Sequence, residues 1–245
     1  MNPDEKRQVE ISLVAPVYNE EENVEQFVAE AVAAMEKLGR PYEIVAVDDG
    51  STDRSRAILL AMRKKFPALR VIALDRNHGQ SAAFDAGLKA SRGRILVTID
   101  SDLQNDPSDI GKLLDAMEKH GADGAIGWRV KRQDNLIRRI SSRIANGIRN
   151  RISRETVRDT GCSLKAFRRE AILRCKLFNG MHRFMPTLVK MEGGTVVEIP
   201  VSHRPRIRGR SKYGVWNRAF RAFADLLAVR WMKSRALRYK AEEIE

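Results

Sequence analysis

Cysteine is scarce in this chain: Cys162 and Cys175 are the two among 245 residues, no CxxC spacing occurs, and the four histidines are scattered. This excludes a zinc cluster built on Cys and His and reads as free thiols in a reducing compartment. Long apolar runs are missing too. No stretch reaches the roughly 18 consecutive apolar residues that a spanning helix needs, and residues 1–10 mix acids and bases without the apolar centre of a secretory signal. A cytoplasmic protein, soluble or peripheral on a membrane face, is expected. Repeats and low-complexity tracts are absent. So is any aromatic-rich platform on which single-stranded nucleic acid would stack.

What is present begins with size and charge. The length fits one large α/β domain with a terminal appendage, and 43% apolar residues suffice for a core. The net charge of +13 is unevenly placed. Residues 1–127 hold 16 Lys and Arg against 22 Asp and Glu, whereas residues 128–245 hold 29 against 10. The second half is therefore expected to meet something anionic, such as phosphate, acidic lipid or nucleic acid.

Apolar runs at residues 11–16, 42–47, 69–74 and 94–99 read as buried strands, and each of the first three is followed by a helical segment. The first helix is expected from Asn19, with acids in its first turn, and carries Val24, Phe27, Val28, Ala31 and Met35 on one face. Strands alternating with helices predict a mostly parallel sheet covered on both faces. Beyond residue 127 a helix is expected around Ile137 to Ile152, a late strand at 195–200, a basic Gly-containing loop over 204–212 and a helix over 215–239. On that last helix Trp216, Phe220, Phe223, Leu227 and Trp231 form a stripe with Arg and Lys nearby. It is expected either to lie in a membrane interface or to pack on its own domain.

Polar clusters fall at the carboxyl ends of three strands: residues 16–20, Asp48-Asp49 and Asp100-Ser101-Asp102. Ligands of open α/β sheets bind outside those ends. Two carboxylates at i and i+2 just past a strand can approach one divalent cation, Mg²⁺ or Mn²⁺, whose hard-oxygen preference also bridges phosphates. Gln104 offers a further oxygen. Asp48 and Asp49 suit a base or ribose contact, or simply a capped strand-to-helix turn.

Ala15-Pro-Val-Tyr-Asn-Glu20, Val47-Asp-Asp-Gly-Ser51, Asp100-Ser-Asp-Leu-Gln104 and Arg206-Ile-Arg-Gly-Arg-Ser-Lys212-Tyr213 occur in this order. Together they resemble family 2 glycosyltransferases of the GT-A fold. The similarity is greatest to the polyprenyl-phosphate branch, the dolichol-phosphate mannose synthases and bacterial undecaprenyl-phosphate glycosyltransferases. Residues 77–83, 103–107 and 159–165 resemble the bacterial members most. The C-terminal amphipathic helix and tail read over 215–245 depart from the pattern of several bacterial members, which carry two spanning helices after the catalytic domain. The resemblance implies a GT-A domain over residues 1–214 with a mostly parallel Rossmann-like sheet. It implies that Pro16, Tyr18, Glu20, Val47, Asp49 and Ser101 line the nucleotide-sugar pocket, that Asp100 and Asp102 hold Mg²⁺ or Mn²⁺ with Gln104 beside them, and that Arg129 binds the donor. Arg206 and Lys212 would close on the donor diphosphate from a loop. Arg138, Arg139, Ser142 and Arg143 would hold the acceptor phosphate, unless they are a solvated helix face; arginine's planar fork suits phosphate oxygens.

The implied reaction is a single inverting displacement at the anomeric carbon. The hexose donor is a UDP-sugar or GDP-mannose, and the acceptor is undecaprenyl or dolichyl phosphate. An ionised phosphate acceptor needs no strong base, leaving positioning and charge stabilisation. A saccharide hydroxyl acceptor, as in polysaccharide synthesis, would need one. A membrane surface is the expected partner, with a membrane protein as another possible tether. A non-catalytic nucleic-acid-binding protein would account for the basic half but leaves the acidic motifs unexplained, so no nucleic-acid partner is expected.

Overall fold

The computed structural model of the chain describes residues 9–129, 157–205, 215–236 and 242, and over 215–222 the backbone alone. Its strands follow the period-2 rule of a sheet buried on both faces. In β1 (Ile11–Val17), Ile11, Leu13, Ala15 and Val17 enter one apolar cluster and Val14 the other. β2 (Tyr42–Asp48) repeats the division, with Ile44 and Ala46 on one side and Val45 and Val47 on the other.

The remaining strands are β3 (Leu69–Ala73), β4 (Ile95–Thr98), β5 (Gly124–Arg129), β6 (Lys165–Arg168) and β7 (Val196–Val201). They form a seven-stranded sheet in the order β3-β2-β1-β4-β6-β5-β7. Every pairing is parallel except those of β6, which runs antiparallel to both β4 and β5. The first apolar cluster is covered by α1 (Val24–Leu38), α2 (Ser55–Lys65) and α4 (Ile110–His120). The second is covered by α3 (Gln80–Ala90), α5 (Arg169–Leu173), α6 (Met185–Met191) and the C-terminal α7 (Val215–Arg235). This is the expected α/β architecture, helices on both faces of a mostly parallel sheet.

Two details differ from the sequence reading. The first helix starts at Val24 rather than Asn19, because Asn19 adopts a left-handed φ of 51° and its side-chain oxygen accepts from the Thr52 N–H at 2.8 Å. Asparagine tolerates that conformation and bonds locally from it. On α7, Leu226 and Val229 are buried in the second cluster with Met232 packed against it. Phe223, Leu227 and Trp231 are 48, 46 and 64% exposed. The helix thus packs on its domain by one stripe and leaves the aromatic stripe outward; the Trp216 and Phe220 side chains lie outside the described residues. No described helix is long and apolar enough to cross a membrane.

Candidate active site

Topology collects the polar residues. β1, β2, β4, β5 and β7 are mutually aligned, so their carboxyl ends share one edge. The antiparallel β6 delivers its amino end to that same edge. Residues 159–165 therefore meet Asp100 and Arg129 on the edge where the segments after β1 and β2 also lie.

After β2, the two aspartates do different work. Asp48 is fully buried, accepts from the Ser51 N–H at 3.1 Å and pairs with Arg56, which closes the strand-to-helix turn. Asp49 accepts from the His78 N–H at 2.7 Å, the Gly79 N–H at 2.9 Å and Asn77 Nδ2 at 2.9 Å. Its pKa is raised, because burial outweighs these donors. Gly50 makes the approach possible: its φ is +67°, and a Cβ there would stand 2.3 Å from the Arg76 carbonyl carbon. The segment after β1 is laced to the same turn, since the Asn19 and Glu20 amides donate to Ser51 Oγ at 3.1 Å and Ser55 Oγ at 2.8 Å. Pro16, Tyr18 and Glu20 are partly exposed there, whereas Val47 is buried in the second cluster and has only backbone to offer a ligand.

After β4, the Asp100 N–H donates to Ser163 Oγ at 3.0 Å, and Asp100 Oδ1 accepts from Gln80 Nε2 at 2.6 Å. Burial, and then the charge of Asp102, push the Asp100 pKa up to about 6. Ser101 Oγ donates to the Pro16 carbonyl at 2.8 Å, tying this turn to the one after β1. Asp102 Oδ1 accepts from the Gln104 N–H at 3.2 Å, and Leu103 is held at φ 62° by its burial in the first cluster. A bridge between Asn105 and His203, and the Arg204 N–H donating to the Gln104 carbonyl at 2.8 Å, join the metal-type turn to the segment after β7. Arg204 also pairs with Glu30 and Asp106, each at 2.6 Å.

At the end of β5, Arg129 makes a bidentate pair with Asp159, Nε to Oδ2 at 2.6 Å and Nη2 to Oδ1 at 2.9 Å. Burial pulls the Arg129 pKa down, but the bonds and charge of Asp159 outweigh it and hold it above the ordinary value. Lys165, at the start of β6, is 4% exposed and donates to the His182 carbonyl at 3.5 Å. Its pKa is lowered by burial against the opposing charges of Cys162, Asp100 and Asp159.

The structure therefore brings Pro16, Asp49, Asp100, Ser101, Asp102, Gln104 and Arg129 to one edge. Arg138, Arg139, Ser142, Arg143, Arg206 and Lys212, and the helix expected at 137–152, lie outside the described residues. Gln80, Asp159, Ser163 and Lys165 belong to the site without having been assigned roles from sequence; all four sit in the stretches that carried the bacterial resemblance. The oxygen donors fit a divalent cation of the Mg²⁺ or Mn²⁺ type. Among the described residues no group of three His, Cys, Asp or Glu is placed to hold a metal.

An α/β sheet with acidic turns at the ends of β2 and β4 defines the GT-A class. Residues 12–175 match the sequence profile of Glycosyl transferase family 2, and the chain belongs to that family. It is 42% identical over 245 residues to dodecaprenyl-phosphate galacturonate synthase of Rhizobium johnstonii, covering 97% of this chain and 70% of that protein. It is 39% identical over 207 residues to undecaprenyl-phosphate 4-deoxy-4-formamido-L-arabinose transferase of Edwardsiella ictaluri, covering 84% of this chain and 63% of that one. The chain thus spans less than two thirds of that second relative. The fold is shared with glucosyl-3-phosphoglycerate synthase of Mycobacterium tuberculosis in complex with Mn²⁺, UDP-glucose and phosphoglyceric acid (TM-score 0.71, 20% identity, 92% of this chain and 81% of that one). It is also shared with a mannosyltransferase of Pyrobaculum calidifontis in complex with GDP-Man and Mn²⁺ (TM-score 0.63, 19% identity, 96% and 73%).

Proposed function

We propose that this protein transfers a sugar from a nucleotide diphosphate to a polyprenyl phosphate, with inversion, at the cytoplasmic face of a membrane. The observation that carries this reading is the 42% identity, over 97% of the chain, to an enzyme named for a polyprenyl-phosphate product. In this reading residues 1–214 are the catalytic domain and 215–245 a helix and tail that bring it to the membrane.

Asp49 fixes the 77–79 loop beside the nucleotide, with Pro16, Tyr18 and Glu20 along the same edge. Asp100 and Asp102, with Gln104, would hold a divalent cation of the Mg²⁺ or Mn²⁺ type, which when bound would supply positive charge toward the leaving diphosphate. Arg129, oriented by Asp159, faces the donor, and Arg206 and Lys212 close over the diphosphate. Arg138, Arg139, Ser142 and Arg143 receive the acceptor phosphate. One of its oxygens forms the new bond to the anomeric carbon, while the bond to the diphosphate breaks and the nucleoside diphosphate leaves with the electron pair. No proton has to be removed from an ionised phosphate, so the chemistry rests on positioning and charge. The outward stripe Phe223, Leu227 and Trp231, with Arg230, Lys233 and Arg235 on the same helix, suits an acidic lipid surface.

The test supplies radiolabelled UDP- and GDP-sugars, Mn²⁺ and undecaprenyl phosphate to the protein and extracts the products into organic solvent. Label in the lipid fraction with the natural protein, and its loss with Asp102→Asn, is the expected result. Label accumulating only in water-soluble saccharide would replace this reading with transfer to a sugar hydroxyl.

A further inference from the structure

The start of α3 is held from three sides. The Gly79 N–H donates to Asp49 Oδ2 at 2.9 Å, and Gln80 Nε2 donates to Asp100 Oδ1 at 2.6 Å. Both bonds belong to the edge described above; the third does not. Ser81 is 4% exposed, and its hydroxyl meets the segment that leads into α6. There Ser81 Oγ accepts from the Gly180 N–H at 2.9 Å and lies 2.6 Å from His182 Nδ1. Alanine has the higher helix propensity and brings no polar group to bury, so the serine is explained by what it binds. The 180–182 segment is itself fixed from outside. Gly180 has a φ of +88°, and a Cβ there would stand 2.2 Å from Asp225 Oδ2 on α7. The His182 ring centroid lies 6.2 Å from that of Phe84, one turn along α3, and the His182 carbonyl accepts from Lys165 Nζ at 3.5 Å.

We propose that Ser81 and His182 are positioning residues: together they fix the first turn of α3 so that Gln80 holds the Asp100 carboxylate in one orientation for sugar transfer. The inference rests on the reading of Asp100 as a carboxylate of the active site. A glutamine side chain has many rotamers, so its amide stays on one carboxylate oxygen only where its own backbone is fixed. Asp49 fixes the residue before Gln80, and the Ser81–His182 pair fixes the residue after it. Ser81 and His182 thus act through Gln80 rather than on the donor. Without either of them Gln80 can swing away and Asp100 can turn in the site. A misplacement on the order of 1 Å at a reacting group costs up to about 10²-fold in rate. The loss falls on turnover, since donor binding draws on Asp49 and Arg129 as well.

Side-chain amide NMR of the ligand-free protein reads the first step without any turnover. The chain has five glutamines, so a sample labelled with ¹⁵N at glutamine gives five side-chain amide pairs, and Gln80→Leu identifies the one from Gln80. In His182→Leu and in Ser81→Ala that pair should move toward the shift of a solvent-exposed amide. His182→Asn, whose amide can stand where Nδ1 stood, should keep it in place. The second step is read from the kinetics of sugar transfer to undecaprenyl phosphate in detergent. His182→Leu should lower kcat about tenfold at nearly unchanged donor KM, Gln80→Leu should cost about as much, and His182→Asn should restore most of the rate. In the Gln80→Leu background His182→Leu should cost no more than about twofold further, because residues acting as one unit do not add. A Gln80 amide that stays put in His182→Leu would overturn the inference, and Ser81→Ala decides the same point should His182→Leu not fold. So would a loss undiminished in the Gln80→Leu background, as a purely structural role gives, or one confined to donor KM, as a direct donor contact gives. Failure of the natural protein to transfer sugar would remove the proposed function, and the amide shifts would still decide whether His182 fixes Gln80.

Discussion

Asp100→Asn is expected to stabilise the ligand-free protein while abolishing sugar transfer. The Asp100 carboxyl titrates at an ordinary 3.8 in an unfolded chain and at about 6 in the fold, through burial first and Asp102 second. Between those values the native state holds a proton that the unfolded state has lost. Stability therefore falls as the pH rises through that window and stays lower above it. At about 1.36 kcal/mol per pH unit the displacement corresponds to a ceiling of about 3 kcal/mol. Relaxation and partial solvent access reduce this, so a gain of about 1–2 kcal/mol is expected at about pH 8. For a chain of this size that is about 3–6 °C in Tm. Asparagine keeps an oxygen for Gln80, so the 2.6 Å bond does not confound the comparison. Thermal unfolding in a chelator, at about pH 8 and again at about pH 4.5, is the assay; the advantage of the variant should shrink at the lower pH. A variant that melts below the natural protein at about pH 8 would refute the reasoning, because the ionised Asp100 would then stabilise the fold.

Asp159→Asn should cost about 2–4 kcal/mol in urea unfolding, because Arg129 would keep its charge in a half-closed site without a carboxylate to receive its fork. Gly50→Ala should cost about 2 kcal/mol or more and weaken nucleotide binding in a thermal-shift titration, since a Cβ at φ +67° would push the Arg76 backbone and with it the loop on Asp49. Replacing Phe223, Leu227 and Trp231 together by serine should leave Tm nearly unchanged but abolish sedimentation with acidic vesicles. Val229→Ala, on the buried stripe of the same helix, should instead lower stability by about 2 kcal/mol.

The strands β1 to β4 and β7 were legible because their apolar runs stand between polar turns. β5 and β6 were not. Their sequences, Gly-Ala-Ile-Gly-Trp-Arg and Lys-Ala-Phe-Arg, lack an apolar run, and they are strands because β4 and β7 pair with them. The acidic site residues were legible for the same reason as the strands: Asp49, Asp100 and Asp102 end apolar runs. Their partners were not, because Gln80 and Ser163 reach Asp100 from 20 and 63 residues away. On α7 two apolar stripes coexist, Leu226-Val229-Met232 and Phe223-Leu227-Trp231. Spacing alone cannot say which one meets the domain.

The position of Ser163 also bears on how the chain acquires its shape. β1 and β2 close a loop of about 30 residues, as do Arg129 and Asp159, whereas Ser163 reaches Asp100 across 63 and β4 reaches β1 across more than 80. Loop-closure entropy rises with the logarithm of that separation, and distant pairings tend to form late in folding. The acidic turn after β4 thus meets β1 and Ser163 only after the shorter closures have formed. A donor analogue that needs all of them recognises the finished chain alone. It should slow unfolding and leave the rate of refolding untouched.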